Sequence, residues 1–246
     1  MNDPVGTHGS RTIMLAELRL LLAACPASTS IDEYRSAIID QNVLLKPTVV
    51  TRRDTFRRLR ELYALSNSTL LFRALRDLWE GTTQAQPLLA LLCAIARDPI
   101  LRGTANLILT TPLGAPITPQ MLEQAMKECF PERYNATTLS AIGRNAASSW
   151  QQSGHLSGKL KKVRAQAESH PTAAAYALLL GYLCSDRGEG LFHTLWCQLL
   201  DAPEHIVHNQ AFTASQQGWI EYRHAGGVTD VGFRYLLREQ GEGYPS

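Results

Sequence analysis

Apolar residues recur at helical spacing along almost the whole chain. In "IMLAELRLLLAA", residues 13–24, they fall three and four apart and stop just before Pro26. "IDEYRSAIIDQNVLL" keeps the same period and ends ahead of Pro47. Further helices are expected over roughly 51–65, 69–80, 84–97, 99–110, 118–130, 137–152 and 171–185, then over "GLFHTLWCQLL" and "PEHIVHNQAFTASQQ". A strand pattern stands out once, in "GWIEYRHAGGVTDVGF", where two β-branched and aromatic runs flank Gly226-Gly227. That pair suits the positive φ angles of a two-residue turn. Two helices followed by a hairpin read as a winged helix-turn-helix, and "TTPLGAPITP", with three prolines and a glycine, reads as a linker. The expected fold is all-α, in two lobes, with helix-turn-helix character and one C-terminal β-hairpin. Residues 1–12 form a flexible start, 13–111 an N-terminal helical domain, 112–119 the linker, 120–240 a winged-helix-like domain and 241–246 a flexible tail.

Charge sharpens this picture only locally. With 45% apolar and 19% charged residues the composition is globular, and a net charge of +2 gives no global attraction to polyanions. Clustering must supply any such attraction. "TRRDTFRRLRELY", residues 51–63, holds five arginines within nine positions. Thr51 is the expected N-cap, and Phe56, Leu59, Leu62 and Tyr63 form an inward stripe. Arg53, Arg57, Arg58 and Arg60 fan over the rest of the surface. Arg52 and Arg53 occupy the first turn, where the helix dipole disfavours positive charge. The face suits a solvated surface, contact with phosphates, or an acidic protein partner.

Residues 133–167 contain no carboxylate at all. Here "TTLSAIGRNAASSWQQ" turns Leu139, Ile142, Gly143, Ala146 and Trp150 to one side of a helix. Arg144, Asn145, Ser148, Gln151 and Gln152 fall on the other. One charge among four neutral hydrogen-bonding groups has the chemistry of base-edge reading, with Arg144, Asn145, Ser148 and Gln151 as candidates. Packing of this face against another subunit, or simple hydration, is the competing reading. Lys159, Lys161, Lys162 and Arg164 follow at the distance of a neighbouring phosphate run, and Arg223 is expected near the hairpin tip with His224.

Reaction chemistry is sparse. The sequence has no phosphate loop, GxGxxG, nucleophile elbow, HExxH or CxxC, so no catalytic residue, cofactor or metal site is expected and the chain reads as not an enzyme. His193 and Cys197 lie i, i+4 but lack companions at metal-ligand spacing. Five widely spaced cysteines suit reduced core thiols, and the longest apolar run, "PLLALLCAIA", is too short to span a bilayer. These features give the expectation of a cytoplasmic protein with no membrane partner and no small-molecule substrate.

"YRSAIIDQNVLLKPTVVTRRDTFRRLRELYAL" and "ASQQGWIEYRHAGGVTDVGFRYL", with the helix order between them, resemble the BrxA family of bacterial BREX phage-defence systems over roughly residues 30–240. The resemblance implies a small, non-enzymatic, helical DNA-binding protein with helix-turn-helix character that works within a multi-protein defence locus. Double-stranded DNA is the expected partner, with other proteins of the defence complex beside it. An adaptor that docks a larger partner of the same system is the alternative. RNA fits less well, because the basic regions hold few exposed aromatics for stacking bases.

Overall fold

Several helix starts are set by side chains that cap them. In this computed structural model, which describes residues 7–238, Ser30 and Glu33 form a reciprocal capping box at the start of α2 (Ile31–Ile39), which follows α1 (Leu15–Ala24). Thr48, not Thr51, caps the arginine-rich α3 (Val49–Tyr63), because the helix begins one turn before the basic run. α4 (Leu70–Trp79) and α5 (Gln86–Arg97) follow. Asp98 then caps α6 (Pro99–Gly103), which breaks at Thr104 before α7 (Ala105–Thr110). The single helix expected over 99–110 is thus two.

The expected linker is built into a sheet. β1 (Pro116–Ile117) precedes α8 (Pro119–Cys129) and α9 (Ala136–Gln152), capped by Thr118 and Asn135. β2 (Leu156–Ser157) and β3 (Lys162–Arg164) complete an antiparallel sheet in the order β1-β3-β2. Two- and three-residue strands leave almost no alternation to read, which is why this sheet escaped the sequence pattern. The element order from α7 onward is helix, strand, helix, helix, hairpin, and the first strand pairs with the last.

α10 (Pro171–Leu183) is buried on every side, with Thr172 to Gly181 all inside. The expected helix over "GLFHTLWCQLL" is instead a 3₁₀ turn (Gly188–His193) and the four-residue α11 (Leu195–Gln198). Two glycines weaken the first part, and Thr194 caps a fresh start by accepting the Cys197 N–H. α12 (Glu204–Gln216) leads into the hairpin of β4 (Glu221–Ala225) and β5 (Val228–Gly232), then α13 (Arg234–Leu237). Gly226 and Gly227 turn the hairpin at φ of +59° and +77°. The protein is therefore mostly helical with two small antiparallel sheets.

One continuous apolar core runs from Ile13 to Leu236, through both expected lobes, with α10 packed on α4, α5 and α12. A satellite of Ile100, Met126, Leu139 and Ile142 lies beneath α8 and α9. No break in the core marks residues 112–119 as a hinge between separate domains. The expected flexible start is corrected where it is described: Thr7–Gly9 is a 3₁₀ turn with Thr7 and His8 buried. Residues 1–6 and the expected tail at 241–246 lie outside the described residues. Among the described residues, no helix is long and apolar enough to cross a membrane.

Candidate nucleic-acid interface

The pairing of α8 with α9 rests on a glycine. A β-carbon at Gly143 would overlap the Pro119 carbonyl and come within 2.7 Å of Glu123 Cγ, so only glycine lets the two helices approach this closely. Beyond that contact, Thr137, Ser140, Arg144, Ser148 and Gln151 follow one stripe of α9 at steps of three and four residues. Arg144 is exposed and donates to Ser140 Oγ at 2.7 Å. Ser148 is half-buried and accepts from Gln152 Nε2 at 3.4 Å.

Two of the base-reading candidates do something else. Asn145 is turned toward the N-terminal turn and donates to the His8 carbonyl at 2.9 Å. Gln151 donates to the Gly158 carbonyl at 3.0 Å and accepts from Lys162 Nζ. It ties the end of α9 to the β2–β3 turn, so Gln151 and Lys162 orient that turn. Desolvation lowers the Lys162 pKa, as expected for an ammonium held against the fold. At the tip, Gly158 takes φ +96°, while Lys159, Leu160 and Lys161 stand in solvent, Leu160 at 96% exposure.

Arg164 is not a phosphate contact. Its guanidinium is buried at the end of β3, where it pairs bidentately with Asp201 at 2.8 and 2.6 Å and donates from Nε to the Ile108 carbonyl. The basic run concealed this because the partner carboxylate lies 37 residues away. Beside it, His155 is buried, donates from Nε2 to the Leu199 carbonyl, and accepts at Nδ1 from Ser153 Oγ. Burial pushes its pKa down to about 4.

On α3 the arginines divide. Arg53 and Arg60 are exposed and unpaired among the described residues. Arg57 pairs with Asp54 at 2.6 Å and Arg58 with Glu61 at 3.2 Å, and Asp54 also draws Arg11 at 2.8 Å. The Arg57 hydrogen bond, with Arg58 and Arg11 nearby, lowers the Asp54 pKa. Arg52 donates to the Ile39 and Lys46 carbonyls and closes the end of α2. The face therefore offers two free cations and the half-neutralised Arg57, fewer than its composition suggests. Arg223 is exposed but lies mid-strand, opposite Asp230, so a carboxylate shares its sheet face and the tip belongs to the glycines.

A buried constellation went unseen in the sequence. His8 Nδ1 lies 2.7 Å from Asp98 Oδ2, and its Nε2 lies 2.8 Å from Ser149 Oγ. These are the distances of a nucleophilic triad. Yet Ser149 and His8 have no exposed surface, and Ser149 Oγ also accepts the Ile13 N–H and bonds the Asn145 carbonyl. The three side chains act as a staple that fixes the N-terminal turn between α6 and α9. No local motif announces it, since His8 meets partners 90 and 141 residues away. The sequence was compared with protein-family models and with curated proteins, and nothing matches.

Proposed function

We propose that the chain binds duplex DNA without catalysis, and that residues 105–164 form a winged helix-turn-helix in which α9 reads the major groove. The supporting observation is the strand order β1-β3-β2 around the α8–α9 pair, which puts the β2–β3 turn beside the C-terminal end of α9. In such an arrangement the turn is the wing, and Lys159 and Lys161 reach the phosphates flanking the groove. Arg144, with Ser148, Thr137 and Ser140, faces the bases, while Asn145, Gln151, Lys162 and Arg164 hold the frame. The carboxylate-free stretch from 133 to 167 keeps the local potential positive despite the near-neutral total. The likeness of residues 30–240 to the BrxA family supports a place for this DNA contact in a phage-defence complex.

Fluorescence anisotropy on a short duplex, titrated at several salt concentrations, tests the reading. Engagement of two phosphates by Lys159 and Lys161 gives a slope of log K against log salt of about −2. Lys159→Glu combined with Lys161→Glu should weaken binding at least about tenfold while leaving the melting temperature unchanged, since both side chains are exposed. Affinity that ignores this change refutes the wing assignment. A second reading, the adaptor, is favoured by one observation: Leu45, Val49 and Val50 expose 82%, 46% and 75% of their surface around the start of α3. It predicts partner binding that survives nuclease treatment.

A further inference from the structure

Away from α9, the 3₁₀ turn Gly188–His193 and the start of α12 bring together side chains that sequence spacing keeps apart. One ligand atom each from Glu189, His193 and Glu204 lies within 4.8 Å of the other two. We propose that these three residues bind a divalent transition-metal ion of the zinc class. Metal–ligand bonds of about 2.1 Å in a tetrahedron put neighbouring ligand atoms about 3.4 Å apart. His193 Nδ1 and Glu204 Oε2 stand at 3.5 Å, already one edge of that figure. The Glu189 carboxylate, half-exposed, lies within 4.8 Å of both and completes the figure by a small inward shift. Imidazole with two carboxylates and an open fourth position suits zinc, with manganese as the carboxylate-favouring competitor.

The surrounding groups are placed as outer-shell partners. His208 Nε2 lies 3.1 Å from Glu189 Oε1 and Thr229 Oγ1 donates to the other oxygen, so both Glu189 oxygens are oriented. His208 is itself fixed, stacked on Phe192 at 3.9 Å between ring centroids and bonded at Nδ1 to Tyr222 Oη at 2.7 Å. Two carboxylates converge on the single Nε2 of His208, since Glu204 Oε1 also stands 3.9 Å away. One N–H cannot satisfy both, and a cation between them relieves their repulsion. A cleft of about 230 Å³ lined by His193 and Glu204 leaves access from solvent. Cys197 also lines it but is buried, and burial pushes its thiol up to about 12. Because Tyr222 and Thr229 belong to β4 and β5, the ion would staple the hairpin to α12 and to the 3₁₀ turn.

Isothermal titration of chelator-treated full-length protein with zinc chloride tests this. A Cys129→Ser/Cys184→Ser background removes the two exposed thiols as competing ligands. The expected result is one saturable site per chain, weakened at least about tenfold by His193→Ala and by Glu204→Gln. Hydrogen exchange on the same protein with and without zinc reads the staple independently of those variants, with slower exchange expected in β4 and β5. Absence of saturable binding overturns the proposal. So does affinity unchanged by His193→Ala and by Glu204→Gln, or hairpin exchange that zinc does not slow.

Discussion

At the residue scale, the informative side chains are the buried polar ones. His155 gives the cleanest consequence. Burial depresses its folded pKa to about 4 from an ordinary 6.5, so between those values the unfolded chain takes up a proton that the folded chain refuses. Its contribution is complete above pH 6.5 and declines as pH falls toward 4, by about 3 kcal/mol over the window. Urea midpoints measured from pH 7 to 4.5 should fall accordingly. His155→Gln should flatten that slope while lowering stability at pH 7, and a slope that persists in the variant would place the titration elsewhere. Arg164 shows the other side of the same physics. A buried guanidinium needs a carboxylate, and Asp201 supplies it from a distant segment that no local pattern connects to "KLKKVR".

At the element scale, most helices were legible because apolar residues recur at helical spacing and capping residues or prolines mark their ends. α8, α9, α10 and the β4–β5 hairpin lie within two residues of where the pattern places them. Missing from the pattern was the β1-β3-β2 sheet, whose strands are too short to alternate and whose β1 is contributed by the proline-rich stretch read as a linker. The sequence pattern places a winged arrangement at the glycine-turned hairpin, whereas the unit proposed above lies one step earlier in the chain. α9 was recognised for its polar face, but half of its nominated readers turned out to be tied to His8 and to the β2–β3 turn. Gly143 tests the helix pair directly. Gly143→Ala forces a β-carbon into the Pro119 carbonyl and Glu123, so α8 must shift. An overpacked contact of this kind costs about 1–3 kcal/mol. The measurable signs are a lower urea midpoint together with weaker duplex binding, whereas an unchanged midpoint would mean that the helices sit farther apart.

At the scale of the whole molecule, charge is arranged in small outward groups on a nearly neutral body. α3 and α9 both pack on the Thr7–Gly9 turn, and Arg53 and Arg60 are exposed on α3 and unpaired among the described residues. If they share the duplex, Arg53→Glu with Arg60→Glu makes the salt slope shallower by about one unit per lost phosphate contact. A slope and affinity equal to wild type would confine the footprint to α9 and its wing. Arg57 and Arg58 are poor choices for this test, because changing them strips Asp54 and Glu61 of their counterions. The staple of His8, Asp98 and Ser149 carries a last implication. It anchors α9 to the turn Thr7–Gly9. A protease or a processing event that trimmed the chain past Ser10 would cut nothing in the stripe of Ser140, Arg144 and Ser148, yet would unseat Asn145 and Ser149 and slacken the helix that carries it.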